Sequence, residues 1–141
     1  MQITRKIEFD AGHRLVGHES KCANLHGHRY VAEITVSAAA LDSVGRVIDF
    51  SKIKELVGGW IDLYWDHNML FNKNDPILDV LDQQDPLYGK KKPYLMSENP
   101  TAENMARVLL GIAQELLEPH GIAVDRIRLY ETPNCWAEVT A

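Results

Sequence analysis

The sequence predicts an α+β domain, an antiparallel sheet of four strands with two helices on one face. Three observations predict it. The N-terminal part holds two stretches that alternate apolar and polar residues, the period of a half-buried strand. The middle holds two apolar stripes at helical spacing. The C-terminal end returns to alternation. The order is strand, strand, helix, helix, strand, strand. No repeat, low-complexity tract or linker divides the chain, so residues 1–141 are read as a single domain.

In the first stretch Ile3, Ile7, Phe9, Ala11 and His13 share one parity, interrupted by Arg5. A loop follows from Arg14 to Leu25. The second stretch places His26, His28, Tyr30, Ala32, Ile34 and Val36 on one face, with Arg29, Glu33, Thr35 and Ser37 opposite and Val31 among them. Gly45 marks a turn. Ser51 reads as the N-cap of a helix. Its stripe is Ile53, Leu56, Val57, Trp60, Ile61 and Tyr64. Gly58-Gly59 weakens it by about 1 kcal/mol per glycine, so a bend is expected there.

From Asn72 to Asn99 the chain is irregular and rich in Asp, Pro and Lys, with one short helix over Pro76 to Leu81. Thr101 caps the second helix, whose stripe is Met105, Leu109, Ile112, Ala113 and Leu116. Pro119 to Gly121 ends it. Ile127, Leu129 and Glu131 share a face of the third strand, and Cys135, Ala137 and Val139 a face of the fourth. Thr132-Pro133-Asn134 is the turn between them. A four-stranded open sheet has two edges to cover, which points to oligomerisation.

Bulk properties exclude several classes. A chain of 141 residues with 45% hydrophobic and 25% charged residues can bury a core without disulfides. No apolar run approaches a membrane span, and Met1 to Arg5 lack a signal-peptide hydrophobic region. Cys22 and Cys135 make no disulfide framework, so a cytoplasmic, reducing location is expected. The net charge of −5 argues against nucleic acid as partner. The one basic run, Lys90-Lys91-Lys92, reads as a solvated loop or as a contact for an anionic part of a small substrate.

The chemistry concentrates between His13 and His28. His26 and His28, two apart on a strand, aim at one point, and Gly27 between them lets another backbone come close. With His13 at the end of the neighbouring buried row, three imidazoles make a ligand set for Zn2+ with a fourth position open. An all-imidazole site also suits other transition ions. Cys22 reads either as a small buried residue or as a reacting thiol, since Lys21 beside it favours thiolate. Cys135 reads as packing, and His18 and His120 as surface residues. Asp66-His67 is an acid–base pair only if the backbone turns there, because consecutive side chains otherwise diverge. Glu131 is either an exposed strand-end carboxylate or a bidentate acceptor for an amidine-like edge, such as that of a pterin.

Taken together these residues resemble the family of 6-pyruvoyl-tetrahydropterin and 6-carboxytetrahydropterin synthases, in particular its QueD branch. The resemblance spans nearly the whole chain. It rests on Phe9-Asp10-Ala11-Gly12-His13, Cys22 through His28, Asp49-Phe50, Asp66-His67 with Leu70, Pro100-Thr101-Ala102-Glu103-Asn104, and Glu131-Thr132. It implies zinc ligands at His13, His26 and His28, and catalytic roles for Cys22, Asp66 and His67. Substrate binding then falls to Glu131 and Thr101. The Cys-x-x-x-His-Gly-His spacing resembles the carboxy-forming branch. Two departures stand out: Phe71 intervenes between Leu70 and Asn72, and the segment from Lys73 to Asn99 is longer than in short relatives.

The resemblance further implies the tunnelling fold (T-fold), in which sheets of several subunits join into a barrel, commonly a hexamer of two trimers. Asp66 and His67 would then serve a neighbour's Cys22. The implied substrate is 7,8-dihydroneopterin triphosphate. Zinc would acidify its side-chain hydroxyls, Cys22 would remove a side-chain proton, and triphosphate would leave. Carbon–carbon cleavage would then release acetaldehyde and leave 6-carboxy-5,6,7,8-tetrahydropterin, a step towards 7-deazaguanine compounds such as queuosine. The alternatives are a pyruvoyl-forming enzyme without side-chain cleavage and a non-catalytic, zinc-stabilised pterin-binding module.

Overall fold

The computed structural model describes residues 1–82 and 91–141. Strands β1 (Gln2–His13) and β2 (His26–Ser37) form a long antiparallel pair in register from Gln2↔Ser37 to His13↔His26. Strand β5 (Ala123–Thr132) pairs with the other edge of β2, and β6 (Cys135–Thr140) pairs with β5, both antiparallel. These are the four strands that alternation marks.

Two further strands correct the four-stranded expectation. β3 (Asn68–Asn72) and β4 (Tyr94–Met96) add to the free side of β1, giving the order β4-β3-β1-β2-β5-β6. Both join in parallel, so the sheet is mixed. Their sequences carry no period-2 signal for a physical reason. Leu70 and Phe71 are consecutive and both buried, so β3 is covered on two faces. β4 has only three residues, too few to show a period.

The first helical segment runs through α1 (Phe50–Ile53), a π-helical turn (Lys54–Gly58) and α2 (Gly59–Tyr64). Its N-cap is Asp49, whose carboxylate accepts from Ser51 N, so Ser51 is not the cap. The expected bend takes the form of the π turn. Gly58 packs towards β1, where a Cβ would meet Ile7 Cδ1 at 3.6 Å, an ordinary contact distance. α3 (Ile77–Asp82) is the short helix expected near Pro76. α4 (Ala102–Leu117) starts at Thr101, whose Oγ1 accepts from Asn104 N, and Gly121 beyond it takes a left-handed φ of 71°.

Both long helices cover one face of the sheet. Ile53, Val57 and Ile61 from the first, and Met105, Leu109, Ala113 and Leu117 from α4, join Phe9, Tyr30, Ile34, Ile127 and Leu129 in one buried cluster. Phe9 stacks on Tyr30 at 5.2 Å, and Trp65 closes the group. Each large side chain so buried contributes about 2 kcal/mol relative to exposure. The reverse face is charged. Lys6, Glu33, Arg128 and Glu138 alternate in sign across four strands, with contacts of 3.0, 3.7 and 2.7 Å. Cys135 is exposed on β6 and is not a packing residue, because the edge strand has nothing beyond it to pack against in one chain. His120 is exposed as expected, whereas His18 is half-buried and accepts from Ser20 N. Among the described residues no helix is long and apolar enough to cross a membrane.

Candidate metal centre and active site

Strand register builds the histidine centre. His13 pairs with His26, and Ala11 pairs with His28, so three rings gather at one end of the core face. Their centroids lie 4.5, 5.2 and 5.1 Å apart. His13 is buried, and His26 and His28 are half-buried. Gly27 faces Gly12 across the pair, where a Cβ would lie 2.9 Å from the Ala11 carbonyl oxygen.

Hydrogen bonds settle which nitrogens are free. His13 Nδ1 donates to the Pro100 carbonyl at 2.7 Å, and His26 Nδ1 donates to the Asn24 carbonyl at 2.7 Å. Each ring therefore keeps its proton on Nδ1 when neutral and offers the lone pair of Nε2. Those two Nε2 atoms are 3.1 Å apart. That is close to the ~3.3 Å between two nitrogens on one tetrahedral zinc. Two facing lone pairs repel unless a cation or proton lies between them. His28 Nε2 is buried without a hydrogen-bond partner, 3.6 Å from Glu131 Oε1. Burial lowers the pKa of His13 and His28, and neighbouring His26 adds to the effect, against the Pro100 bond at His13 and the Glu131 charge at both. Burial thus favours the neutral, ligating form of His13 and His28. Nitrogen lone pairs that converge, an orphaned buried Nε2 and backbone carbonyls behind two of the rings all fit a divalent zinc ion.

The structure brings Glu131 to this centre. It follows Ile127 and Leu129 on the core face of β5, and it lies outside the group of three nitrogen ligands. Tyr30, next on the His26–His28 row, puts its hydroxyl 3.3 Å from His13 Nδ1, and burial pushes its ionisation far up. Its place on that row was the only signal for it in the sequence. Thr101 adjoins Pro100, whose carbonyl accepts from His13, and spends its oxygen as a helix cap. Cys22 lies in a 3-10 turn, Lys21–Ala23, half-buried and outside any disulfide.

Asp66 and His67 are placed elsewhere. His67 has φ of 53°, the left-handed turn that lets two consecutive side chains meet. Its Nδ1 donates to Asp66 Oδ2 at 2.8 Å, leaving Nε2 on a ring that is 75% exposed. Asp10 anchors the turn: its N–H donates to Asp66 Oδ1 at 2.9 Å and its carbonyl accepts from His67 N at 2.7 Å. The Asp10 carboxylate, gathered with Asp66 and His67, pairs with Arg29 on the reverse face of the sheet. Within one chain, then, the acid–base pair gathers with Asp10 and is a group separate from the three imidazoles. An open cavity of about 790 Å³ lies by His67, Gly12, Gly27, Arg29 and Met69, with His26 and His28 also contributing. Cys22, Glu131 and Thr101 do not line it.

Lys91 is tied to the fold and is not a freely solvated loop residue, and it borders the cavity by His67. Its Nζ donates to the carbonyls of Asp62 and Asp66 at 2.5 and 2.7 Å, at the end of α2. Lys90 lies outside the described residues. Partial burial raises the Asp66 pKa. The Asp10 N–H, the His67 bond, the His67 charge and the Lys91 charge outweigh that and hold it below 3.8. Asp66 therefore adds stability that is fully present above pH 3.8 and is lost as pH falls through its lower folded value. Asp66→Asn is expected to lose this stability at neutral pH and to converge on the parent in acid. Urea midpoints measured from pH 7 to pH 2 check this, and parallel curves would contradict it.

The family model for 6-pyruvoyl tetrahydropterin synthase matches residues 2–141. The chain belongs to this family. A Rickettsia bellii protein named 6-carboxy-5,6,7,8-tetrahydropterin synthase is 45% identical over 99% of each chain. An Aquifex aeolicus protein of the same name is 31% identical over 97% of this chain and 96% of its own. An uncharacterised protein from Wolinella succinogenes shares the fold with a TM-score of 0.82 at 24% identity, covering 99% of this chain and 97% of its own. The 6-pyruvoyl tetrahydropterin synthase of Caenorhabditis elegans does so at 0.69 and 20% identity, covering 100% and 95%. Membership agrees with the motif residues gathered at the histidine centre. Of the two departures from the motif pattern, the first sets a buried Phe71 before Asn72, whose Oδ1 accepts from Asn74 N, and the second, from Lys73 to Asn99, lies partly outside the described residues.

Proposed function

We propose that the chain is a zinc-dependent 6-carboxy-5,6,7,8-tetrahydropterin synthase acting on 7,8-dihydroneopterin triphosphate, in the supply of 7-deazaguanine compounds such as queuosine. The observation that carries this is the convergence of three imidazole nitrogens, one of them orphaned in the interior, beside the Glu131 carboxylate. Full-length relatives at 45% identity bear that enzyme's name.

His13, His26 and His28 would hold zinc, which supplies a Lewis acid that polarises substrate oxygens. Glu131 accepts two hydrogen bonds from the amino edge of the pterin and so fixes the ring's orientation. Cys22, as thiolate, takes a proton from the side chain. His67, steadied by Asp66, exchanges protons through its exposed Nε2. Loss of triphosphate leaves two adjacent carbonyl carbons on the side chain. Adding one water across the bond between them gives a carboxylate and acetaldehyde, which balances the reaction.

Asp66 and His67 form a group of their own, apart from the three imidazoles, and in this reading a neighbouring subunit supplies them to each centre, within a hexamer of two trimers. The cytoplasm is the compartment that suits two free thiols.

Incubating the zinc-loaded protein with 7,8-dihydroneopterin triphosphate and weighing the products by mass spectrometry tests the proposal. A carboxylated tetrahydropterin with one equivalent of trapped acetaldehyde is expected. Triphosphate release without acetaldehyde would identify a pyruvoyl-forming enzyme, and pterin binding without turnover a binding module. Glu131→Ala is expected to weaken pterin binding about 10- to 100-fold, the worth of a charge-assisted pair. Its melting temperature should move little, since the carboxylate is part-exposed. Titration calorimetry with a pterin checks this, and unchanged affinity would remove Glu131 from the site.

A further inference from the structure

Four successive residues at the end of β1 are each tied down by a different partner. His13 donates to the Pro100 carbonyl at 2.7 Å. Arg14 Nε donates at 2.7 Å to Asp75, a buried carboxylate whose other oxygen accepts from Ile77 N at the start of α3. Leu15 N donates to the Cys22 carbonyl at 2.9 Å, which closes the loop that carries the thiol. Val16 is gripped twice by one side chain: its N–H donates to Asn99 Oδ1 at 3.1 Å, and its carbonyl accepts from Asn99 Nδ2 at 2.8 Å.

A side-chain amide can donate and accept at once, so Asn99 copies one rung of a sheet ladder. It is itself held firmly. Its carbonyl accepts from Asn104 Nδ2 at 2.9 Å and from Thr101 N at 2.8 Å, both at the start of α4. Its chain neighbour is Pro100, which holds His13. One rigid corner therefore orients a metal ligand through Pro100 and the thiol loop through Asn99. Nothing else among the described residues bonds to the Val16 backbone across this gap.

We infer that Asn99 is a positioning residue for Cys22, setting where the thiol stands relative to the three-histidine centre by clamping Val16. The inference rests on the proposed role of Cys22. It gives Asn99 no contact with substrate. Asn99→Ala leaves both Val16 groups without partners. Asn99→Asp keeps the acceptor for Val16 N but sets a carboxylate oxygen against the Val16 carbonyl. A misplacement of about 1 Å can cost on the order of 100-fold in rate.

The test uses the full chain with Cys135→Ser, so that Cys22 is the thiol that reports. Asn99→Ala and Asn99→Asp are compared with that parent for zinc content, steady-state kinetics and the rate of Cys22 alkylation by iodoacetamide. Expected are unchanged zinc, kcat lower by about 10- to 100-fold with KM within about twofold, and alkylation about 10-fold faster as the loop is released. Alkylation and kcat equal to the parent's in both variants would overturn the inference. So would zinc loss in proportion to kcat, because Asn99 would then act on the metal centre and not on the thiol. If either variant does not fold, the other decides. Cys22→Ala with parental turnover would overturn the role of Cys22 instead. The alkylation rates would still report the clamp.

Discussion

His26→Ala is expected to take the protein from about one zinc per chain to nearly none and to lower turnover by at least about 10³-fold. His26 gives one of three converging nitrogens, with its Nε2 3.1 Å from that of His13. Losing a residue that merely orients a ligand already costs about 10- to 100-fold in metal affinity, so losing a ligand costs more. The fold should survive, since His26 is half-buried at a strand end and the core of Phe9, Tyr30, Trp65 and Leu109 lies elsewhere. The metal-free variant and metal-free parent should therefore melt alike, and added zinc should raise the melting point of the parent alone. His18→Ala and His120→Ala serve as controls that keep the metal. Atomic absorption on dialysed protein reads the result. Zinc content equal to the parent's in His26→Ala would dismiss the assignment.

Much of this centre is legible in the sequence, because strand geometry has an exact period. Once β1 and β2 alternate, His13, His26 and His28 must fall on the buried row, and Glu131 follows Leu129 on another. The helical stripes are legible for the same reason. Short or two-sided elements are not. β3 buries adjacent Leu70 and Phe71, and β4 is three residues long, so neither leaves a pattern. The choice of Asp49 over Ser51 as cap depends on a single φ/ψ pair, since both residues can cap. Backbone partners are silent as well: the carbonyls of Pro100 and Asn24 hold the rings of His13 and His26, and that of Asp10 the backbone of His67, without any side-chain signature. The split between the Asp66-His67 group and the three-histidine group involves the left-handed turn at His67, which brings consecutive side chains together and which residue types alone do not require.

That split carries the second large prediction. Cys22→Ala and His67→Ala should each lose about 10²- to 10⁴-fold in kcat, the usual worth of a positioned acid or base. Both should keep zinc, since neither residue belongs to the three-histidine group. If one subunit's Asp66 and His67 complete a neighbour's centre, the two inactive variants have complementary defects. Unfolding them together and refolding as mixed oligomers should restore activity. A site is intact only when the centre comes from a His67→Ala chain and the acid–base pair from a Cys22→Ala chain. With equal amounts and random assembly that holds at about a quarter of sites, so about a quarter of parental activity should return. Each variant refolded alone gives the baseline. The geometry makes the outcome decisive: the Asp10 carboxylate gathered with His67 points away from the face that carries His13, His26 and His28. Mixed oligomers no more active than the separate variants would mean that one chain serves its own centre.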